Sequence, residues 1–271
     1  MKTWLNGQPA NQISVSDRGL SYGDGLFETI QIRSGRPLLL ADHWRRLQTG
    51  LARLKFPEST LPLLQSDLAS LELPEAGVLK LIVTRGPGGR GYRLPDETAV
   101  SRIVALAPLP EFVSDPAEKG IRVRLCETRL GFNPLLAGIK HLNRLEQVLA
   151  RSEWDAPEIA EGIVADLEGY LVEGTMSNLF WVKQGVLYTP LLDRCGVAGI
   201  VRDRLIDIAG REGVEVVEGR FTTDSLFEAD EVFVCNSLIN IWPVVAIDES
   251  HYQVGEMTRR LQGWLQQEYI A

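Results

Sequence analysis

Residues 162–188 hold four short runs of β-branched, aromatic and aliphatic side chains: Gly162-Ile163-Val164-Ala165, Tyr170-Leu171-Val172-Glu173, Leu179-Phe180-Trp181-Val182 and Val186-Leu187-Tyr188. Gly169 and Gly185 punctuate them, and runs this short separated by turn residues predict an antiparallel meander. Helical signals lie on either side. Leu40, Trp44, Leu47, Leu51 and Leu54 recur at steps of three and four, with Asp42 in the first turn. Further helices are expected over residues 61–71, after Lys140 (Leu142, Leu145, Val148 and Leu149 on one face), over 201–211 and over 255–269. Strands are expected at 26–32, 78–84, 102–107, 121–126, 214–217 and 231–234. The glycine-dense Gly19-Leu20-Ser21-Tyr22-Gly23-Asp24-Gly25 reads as a tight loop. Strands and helices mix without a regular βαβ rhythm, which favours an α+β fold. A chain of 271 residues makes one or two domains. The proline- and charge-rich stretch 108–120 is the best linker, which gives a small N-terminal α/β domain, 1–115, and a larger C-terminal domain with antiparallel strands, 116–271.

Charge and cysteine usage remove several function classes. The net charge is −8 with a pI near 5.1. Nucleic-acid binding draws its affinity from Lys and Arg on phosphates, so it is not expected. A small anionic substrate remains compatible, because a pocket can be locally positive. Cys126, Cys195 and Cys235 are far apart and form no CxxC, so neither a disulfide framework nor a zinc site is expected, and a reducing cytoplasm fits. No stretch approaches the ~18 apolar residues of a membrane span, and the N-terminus lacks the apolar core of a signal peptide. With three histidines and no G-x-S-x-G, neither a His-rich metal site nor a Ser-His-Asp triad has many candidates.

Five stretches can carry chemistry. Lys140 follows Ala137-Gly138-Ile139, and burial of a lysine favours its neutral, nucleophilic form. Glu173 sits between apolar residues and the small loop Gly174-Thr175-Met176-Ser177, where a carboxylate can hold a protonated ring nitrogen. Gly196-Val197-Ala198-Gly199-Ile200-Val201-Arg202 is a small-residue loop entering a helix, a setting that suits phosphate. Cys235-Asn236-Ser237 ends a strand on a hydroxyl, and Arg46 lies at the core edge of its helix. Taken singly, each has an equally ordinary reading: a solvated lysine, an outward strand glutamate, a plain helix start, a turn, an exposed arginine.

Their order along the chain resembles the fold-type IV pyridoxal phosphate (PLP) enzymes, also called class IV aminotransferases. That family holds branched-chain and D-amino-acid aminotransferases and 4-amino-4-deoxychorismate lyases. The resemblance runs from Ser16-Asp17-Arg18-Gly19 to Phe27-Glu28-Thr29, then through His43-Trp44-Arg45-Arg46-Leu47 and Lys140-His141-Leu142-Asn143. It continues through Glu173-Gly174-Thr175-Met176-Ser177-Asn178, Gly199-Ile200-Val201-Arg202 and Asn236-Ser237. It implies the two-domain D-amino-acid-aminotransferase-like fold, PLP as cofactor, Lys140 as the Schiff-base lysine and Glu173 as partner of the ring nitrogen. It also implies a phosphate cradle of Arg46, the amides of Ile200 and Val201, and Ser237, and a homodimer. Val201 stands where many relatives carry threonine, so a side-chain hydroxyl contact is lost there. No residue around Arg144-Leu145 is assigned to the ring hydroxyl.

The loop Thr84-Arg85-Gly86-Pro87-Gly88-Gly89-Arg90-Gly91-Tyr92-Arg93 looks most like the lyase branch, whose substrate carries two carboxylates. Arg85, Arg90 and Tyr92 are the candidate substrate ligands, with Arg93 beside them. The expected activity is lyase chemistry giving p-aminobenzoate and pyruvate, a step of folate biosynthesis. The alternatives are a D-amino-acid or branched-chain aminotransferase on the same fold, and a cofactor-free binding protein that keeps it. An intact Lys140 and Glu173 speak against the last.

Overall fold

The computed structural model describes residues 1–112 and 115–270, so residues 113 and 114 of the expected linker lie outside the described part. The chain forms two compact units, one of Met1–Pro110 with Ile139–Asn143, the other of Glu111–Gly138 with Arg144–Ala271. The division is thus not a single cut. The segment carrying Lys140 groups with the N-terminal residues, because it is hydrogen-bonded to one of their strands.

The first unit contains β1 (Lys2–Leu5), β2 (Gln8–Pro9), α1 (Arg18–Tyr22), β3 (Gly25–Arg33), β4 (Arg36–Pro37), α2 (Leu40–Arg53), α3 (Thr60–Ala69), β5 (Ala76–Thr84) and β6 (Ser101–Ala107). Its sheet is antiparallel throughout, in the order β2-β1-β6-β5-β3-β4. Along β3, Leu26, Ile30 and Ile32 are buried, as are Leu47 and Leu51 of α2 and Leu64 and Leu68 of α3. Helix α2 contacts β3 and α3 contacts β6, so the 3.6-residue period read in residues 40–54 corresponds to a buried face. The glycine-dense 19–25 stretch is not a loop. It is the helical turn α1, capped by Asp17, whose carboxylate accepts from the Gly19 amide at 2.7 Å, and closed by Gly23 at φ 64°. Only Gly23 needs the left-handed region. Gly25 is required for space: a Cβ there would stand 2.2 Å from the Val83 carbonyl oxygen.

The second unit contains α4 (Pro116–Lys119), β7 (Ile121–Leu130), α5 (Leu145–Arg151), β8 (Ile159–Asp166), β9 (Leu171–Gly174), β10 (Asn178–Lys183), β11 (Val186–Pro190), α6 (Ile200–Arg211), β12 (Val216–Gly219), α7 (Asp224–Phe227), β13 (Glu231–Asn236), β14 (Asn240–Ile247), β15 (Ser250–His251) and α8 (Glu256–Glu268). The sheet runs β12-β11-β10-β13-β14-β7-β8-β9, with β15 on β14. Of the expected meander, the antiparallel hairpins β8/β9 and β10/β11 form, but β9 and β10 do not pair: β9 ends the sheet beside β8, and β10 pairs antiparallel with β13, which pairs antiparallel with β14. The sheet is nevertheless mixed, because β7/β8, β14/β7 and β11/β12 pair in parallel. Helices α5 and α6 make the crossovers for the first and last of these, two βαβ units that a meander reading does not anticipate.

Leu179-Phe180-Trp181-Val182 lacks polar alternation because β10 is covered on both sides. Phe180 and Val182 join a core with Leu205, Ile208, Leu261 and Leu265 of α6 and α8. Leu179 and Trp181 join another with Val232, Val234, Leu226 and Trp242. The helix after Lys140 begins later than the sequence suggests, at Leu145. Leu142 precedes it, and Leu145, Val148 and Leu149 are 70%, 60% and 53% exposed, so this apolar stripe faces away from the core. No helix among the described residues is long and apolar enough to cross a membrane.

A carboxylate from β13 fixes α8. Glu231 accepts from the amides of Met257 and Thr258 at 3.0 and 2.8 Å and from Thr258 Oγ1 at 2.7 Å. Gly255, at φ −90° and ψ 170°, is conformationally replaceable, but its Cβ would lie 1.8 Å from the Glu231 carboxyl carbon. Glu231→Gln should cost about 1–2 kcal/mol in chemical denaturation. Gly255→Ala should cost a similar amount in the native background and little once Glu231 is alanine, the non-additivity expected of neighbours.

Candidate active site

Lys140 is held by its backbone. The Phe27 amide donates to the Lys140 carbonyl at 2.9 Å, the Leu142 amide donates to the Gly25 carbonyl at 3.0 Å, and Leu26 and His141 form an antiparallel bridge. The half-buried lysine places Nζ 4.6 Å from the centre of the Phe27 ring, within cation–π range. Asn143 Nδ2 donates to the Gly23 carbonyl at 3.2 Å and closes the segment onto the α1 turn. Gly138, at φ 80°, makes the bend just before it.

Glu28 points to the opposite face of β3, among Leu26 and Ile30, and is 1% exposed. Arg46 donates to it through Nε at 2.8 Å and through Nη2, and His43 Nδ1 lies 2.6 Å from its Oε2. Burial works against a charged Glu28, but the Arg46 guanidinium and the His43 hydrogen bond outweigh it and hold its pKa at about 2. Burial pulls His43 below its ordinary value, against Glu28, with Arg46 and Lys140 also lowering it. A neutral imidazole facing an ionised carboxylate must carry its proton on Nδ1 and donate it. Arg46 is therefore oriented by a buried, ionised Glu28, and the Lys140 charge is felt within the same cluster.

The second unit assembles the other candidates. Glu173, 4% exposed on β9, accepts from the Val197 amide through Oε2 at 2.8 Å. Its turn is organised by Glu161 on β8, which accepts from the amides of Gly162, Thr175 and Met176 and from the hydroxyls of Thr175 and Ser177. Residues 196–198 meet Gly138 at two backbone hydrogen bonds, Gly138 N to Gly196 O at 2.9 Å and Ala198 N to Gly138 O at 3.1 Å. Helix α6 then starts at Ile200 with Gly199 as its N-cap, which brings no capping side chain. The first-turn amides of Ile200 and Val201 have no acceptor within the helix and point from its positive end. Ser237 lies half-buried in the turn after β13, where Asn236 Oδ1 accepts from the Leu238 and Ile239 amides. Burial pulls Arg144 below its usual value while Glu173 and Glu146 oppose it, so a cation stands near the Glu173 carboxylate.

The substrate-loop candidates separate. Arg85 is 2% exposed and its guanidinium is committed: Nε to Asp24 at 2.9 Å, Nη1 and Nη2 to the carbonyls of Lys55 and Leu54, and the plane 4.2 Å from the Phe56 ring centre. Its place is structural, in contrast to the expected substrate contact, because Asp24 and the α2 carboxy-terminal carbonyls consume its donors. Arg90 is exposed and Tyr92 is 85% exposed. Arg93 is exposed and pairs with Asp96. Arg18, 4% exposed, pairs with the same Asp24 and donates to the carbonyls of Gly91 and Tyr92 at 2.9 and 3.4 Å. Tyr22 Oη accepts from the Gly91 amide at 3.1 Å, and the Tyr22 and Tyr92 rings meet edge-on at 5.3 Å. The glycine-arginine loop is thus tied to α1 at Gly86, through the Arg18 amide, and again at Gly91 and Tyr92.

Lys140 and Arg46 therefore belong to one unit, and Glu173, Ile200, Val201 and Ser237 to the other. Glu28, Asn178 and Asp24 were present in the sequence motifs without an assigned role, and Glu161 stood outside them. A signal for Glu28 existed: it is a carboxylate on the apolar side of an alternating strand, which burial tolerates only with partners. Taken by itself, the first unit offers a lysine fixed at its backbone, and the second a buried carboxylate beside a helix start without a capping side chain, donor types that suit a phosphate-bearing pyridoxal cofactor.

A family model described as amino-transferase class IV matches residues 25–247. The chain is 38% identical to an aminodeoxychorismate lyase of Vibrio harveyi over 96% of its length and 98% of that protein. It is 35% identical to a putative branched-chain-amino-acid aminotransferase of Methanocaldococcus jannaschii, over 96% and 94%. Among solved structures, the 4-amino-4-deoxychorismate lyase of Pseudomonas aeruginosa superposes with a TM-score of 0.94 at 49% identity, covering 98% of both chains.

Glu28 has a folded pKa below its ordinary 4.5, so its contribution is fully present above that value and is lost as the pH falls toward about 2. His43, also depressed, loses stabilisation as the pH falls below 6.5, since the unfolded ring then binds a proton the folded one resists. Glu28→Gln should cost about 3 kcal/mol at pH 7 and flatten the acid limb of stability, measured by denaturant unfolding from pH 3 to 7. Arg18→Ala should release residues 89–93, whose Gly91 and Tyr92 carbonyls its guanidinium holds, while 86–88 keep their backbone bonds; new protease cleavage confined to 89–93, under conditions that leave the native chain intact, would show it.

Proposed function

The chain belongs to the class IV amino-transferase family, and from that premise we propose that it is a PLP-dependent aminodeoxychorismate lyase that releases p-aminobenzoate and pyruvate. The observation that carries this reading is the likeness to the Pseudomonas aeruginosa lyase, 49% identical over 98% of both chains. The strapped Lys140 supplies the nucleophile and base that the chemistry needs.

In this reading Lys140 would hold the cofactor covalently, Glu173 would accept a hydrogen bond from the protonated ring nitrogen, and Arg46, the Ile200 and Val201 amides and Ser237 would receive the phosphate. Bound PLP supplies an electron sink for the charge that develops at substrate C4. With the cofactor bound, a neutral Lys140 would take the C4 proton. The C–O bond to the enolpyruvyl group then breaks, the ring becomes aromatic, and the enolpyruvate takes a proton to leave as pyruvate. Atoms balance without an oxidant or an amino acceptor. Arg90 and Tyr92, exposed on the glycine-arginine loop, are the remaining candidates for the substrate carboxylates. The same reading makes the enzyme a cytoplasmic homodimer, and the exposed Leu145, Val148 and Leu149 stripe on α5 supports a partner chain.

Amino transfer is the second reading, favoured by the likeness to the Methanocaldococcus jannaschii protein. Incubation with 4-amino-4-deoxychorismate should yield p-aminobenzoate and pyruvate in equal amounts, and Lys140→Ala should abolish both. Amino transfer to a keto acid with neither product formed would overturn the lyase reading.

A further inference from the structure

The peptide groups around Val197 are gripped on both sides. The Val197 N–H donates to Glu173 Oε2 at 2.8 Å, and the Val197 carbonyl accepts from Asn178 Nδ2 at 2.8 Å. Glu173 and Asn178 are 4% and 5% exposed, and Val197 is 8% exposed, so water does not substitute for either contact. Only the amide nitrogen of Asn178 can donate to a carbonyl, which fixes the orientation of the side chain and turns its Oδ1 toward Gly199. A Cβ at Gly199 would lie 2.0 Å from that oxygen. Gly199 has φ −71° and ψ 142°, a conformation open to any residue, so space against Asn178, not backbone freedom, requires glycine here. Gly199 is the N-cap of α6, directly before the Ile200 and Val201 amides. Asn178 in turn opens β10 and pairs with Cys235 of β13, two residues before Ser237.

We infer that Asn178 is a positioning residue for the phosphate cradle. It sets residues 196–199 so that the first amides of α6 face the phosphate, and through Val197 it links that cradle to the carboxylate that serves the ring nitrogen. This rests on the PLP reading above. The consequence falls chiefly on the phosphate: loosening Asn178 detunes the cradle, while Glu173 keeps its own bond from the Val197 amide, so a ring without phosphate loses little.

The test titrates the full-length chain, freed of cofactor, with PLP and separately with pyridoxal, which lacks the phosphate. Wild type, Asn178→Ala and Gly199→Ala are compared by absorbance. Asn178→Ala should weaken PLP binding about tenfold, the loss of one buried hydrogen bond, and leave pyridoxal binding within about twofold. Gly199→Ala, which pushes the Asn178 amide aside without removing it, should give the same selective loss. Equal weakening of PLP and pyridoxal, or unchanged PLP binding in both variants, would overturn the assignment. A wild-type chain that binds neither compound would remove the PLP reading and this inference with it. Wild-type binding with unselective variants removes the inference alone.

Discussion

The backbone pairing of residues 139–143 with β3 is the constraint on which the rest depends. A lysine side chain has four rotatable bonds, so its ammonium is placed only if its Cα is placed. Two backbone hydrogen bonds to Gly25 and Phe27 do this, and they are possible only because Gly25 offers no Cβ at a crowded point. Gly138 provides the bend that delivers the chain to the strand. Once the segment is fixed, Phe27 and the Glu28–His43–Arg46 cluster are fixed with it, because they project from the same strand or from the helix packed on it.

Buried carboxylates do much of the remaining organisation. Asp17 gathers the Gly19 amide and the hydroxyls of Thr84 and Ser101; Asp24 gathers two arginines; Glu161 gathers three amides and two hydroxyls; Glu231 starts α8. An ionised carboxylate can accept about four hydrogen bonds, which makes it an efficient knot for loops whose backbone donors would otherwise be buried unpaired. Part of the acidic balance of the chain is therefore interior and structural, and says little about what the surface attracts.

Much of this was legible in the sequence where a local rule governs the outcome. The period of residues 40–54 is the buried face of α2, and the glycine-punctuated runs of 162–188 are the strands expected there. Lys140 and Glu173 stood out as chemistry-bearing residues through their motifs. What escaped depended on distant partners. Arg85 in a glycine-rich loop reads as a candidate substrate ligand, yet Asp24 and the Leu54 and Lys55 carbonyls bury it. The apolar stripe of α5 has the pattern of a core helix but is exposed in this chain. The parallel pairs of the second sheet depend on crossovers that no strand announces by itself. Asn178 and Glu161 could be named only once their backbone partners were in place.

The central claim is that Lys140 carries the cofactor, and chemical trapping tests it most directly. Borohydride reduction of the PLP-loaded enzyme, followed by peptide mapping, should place the pyridoxyl group on the peptide containing Lys140 and on no other lysine. A label found on Lys80 or elsewhere, with Lys140 unmodified, would contradict the account.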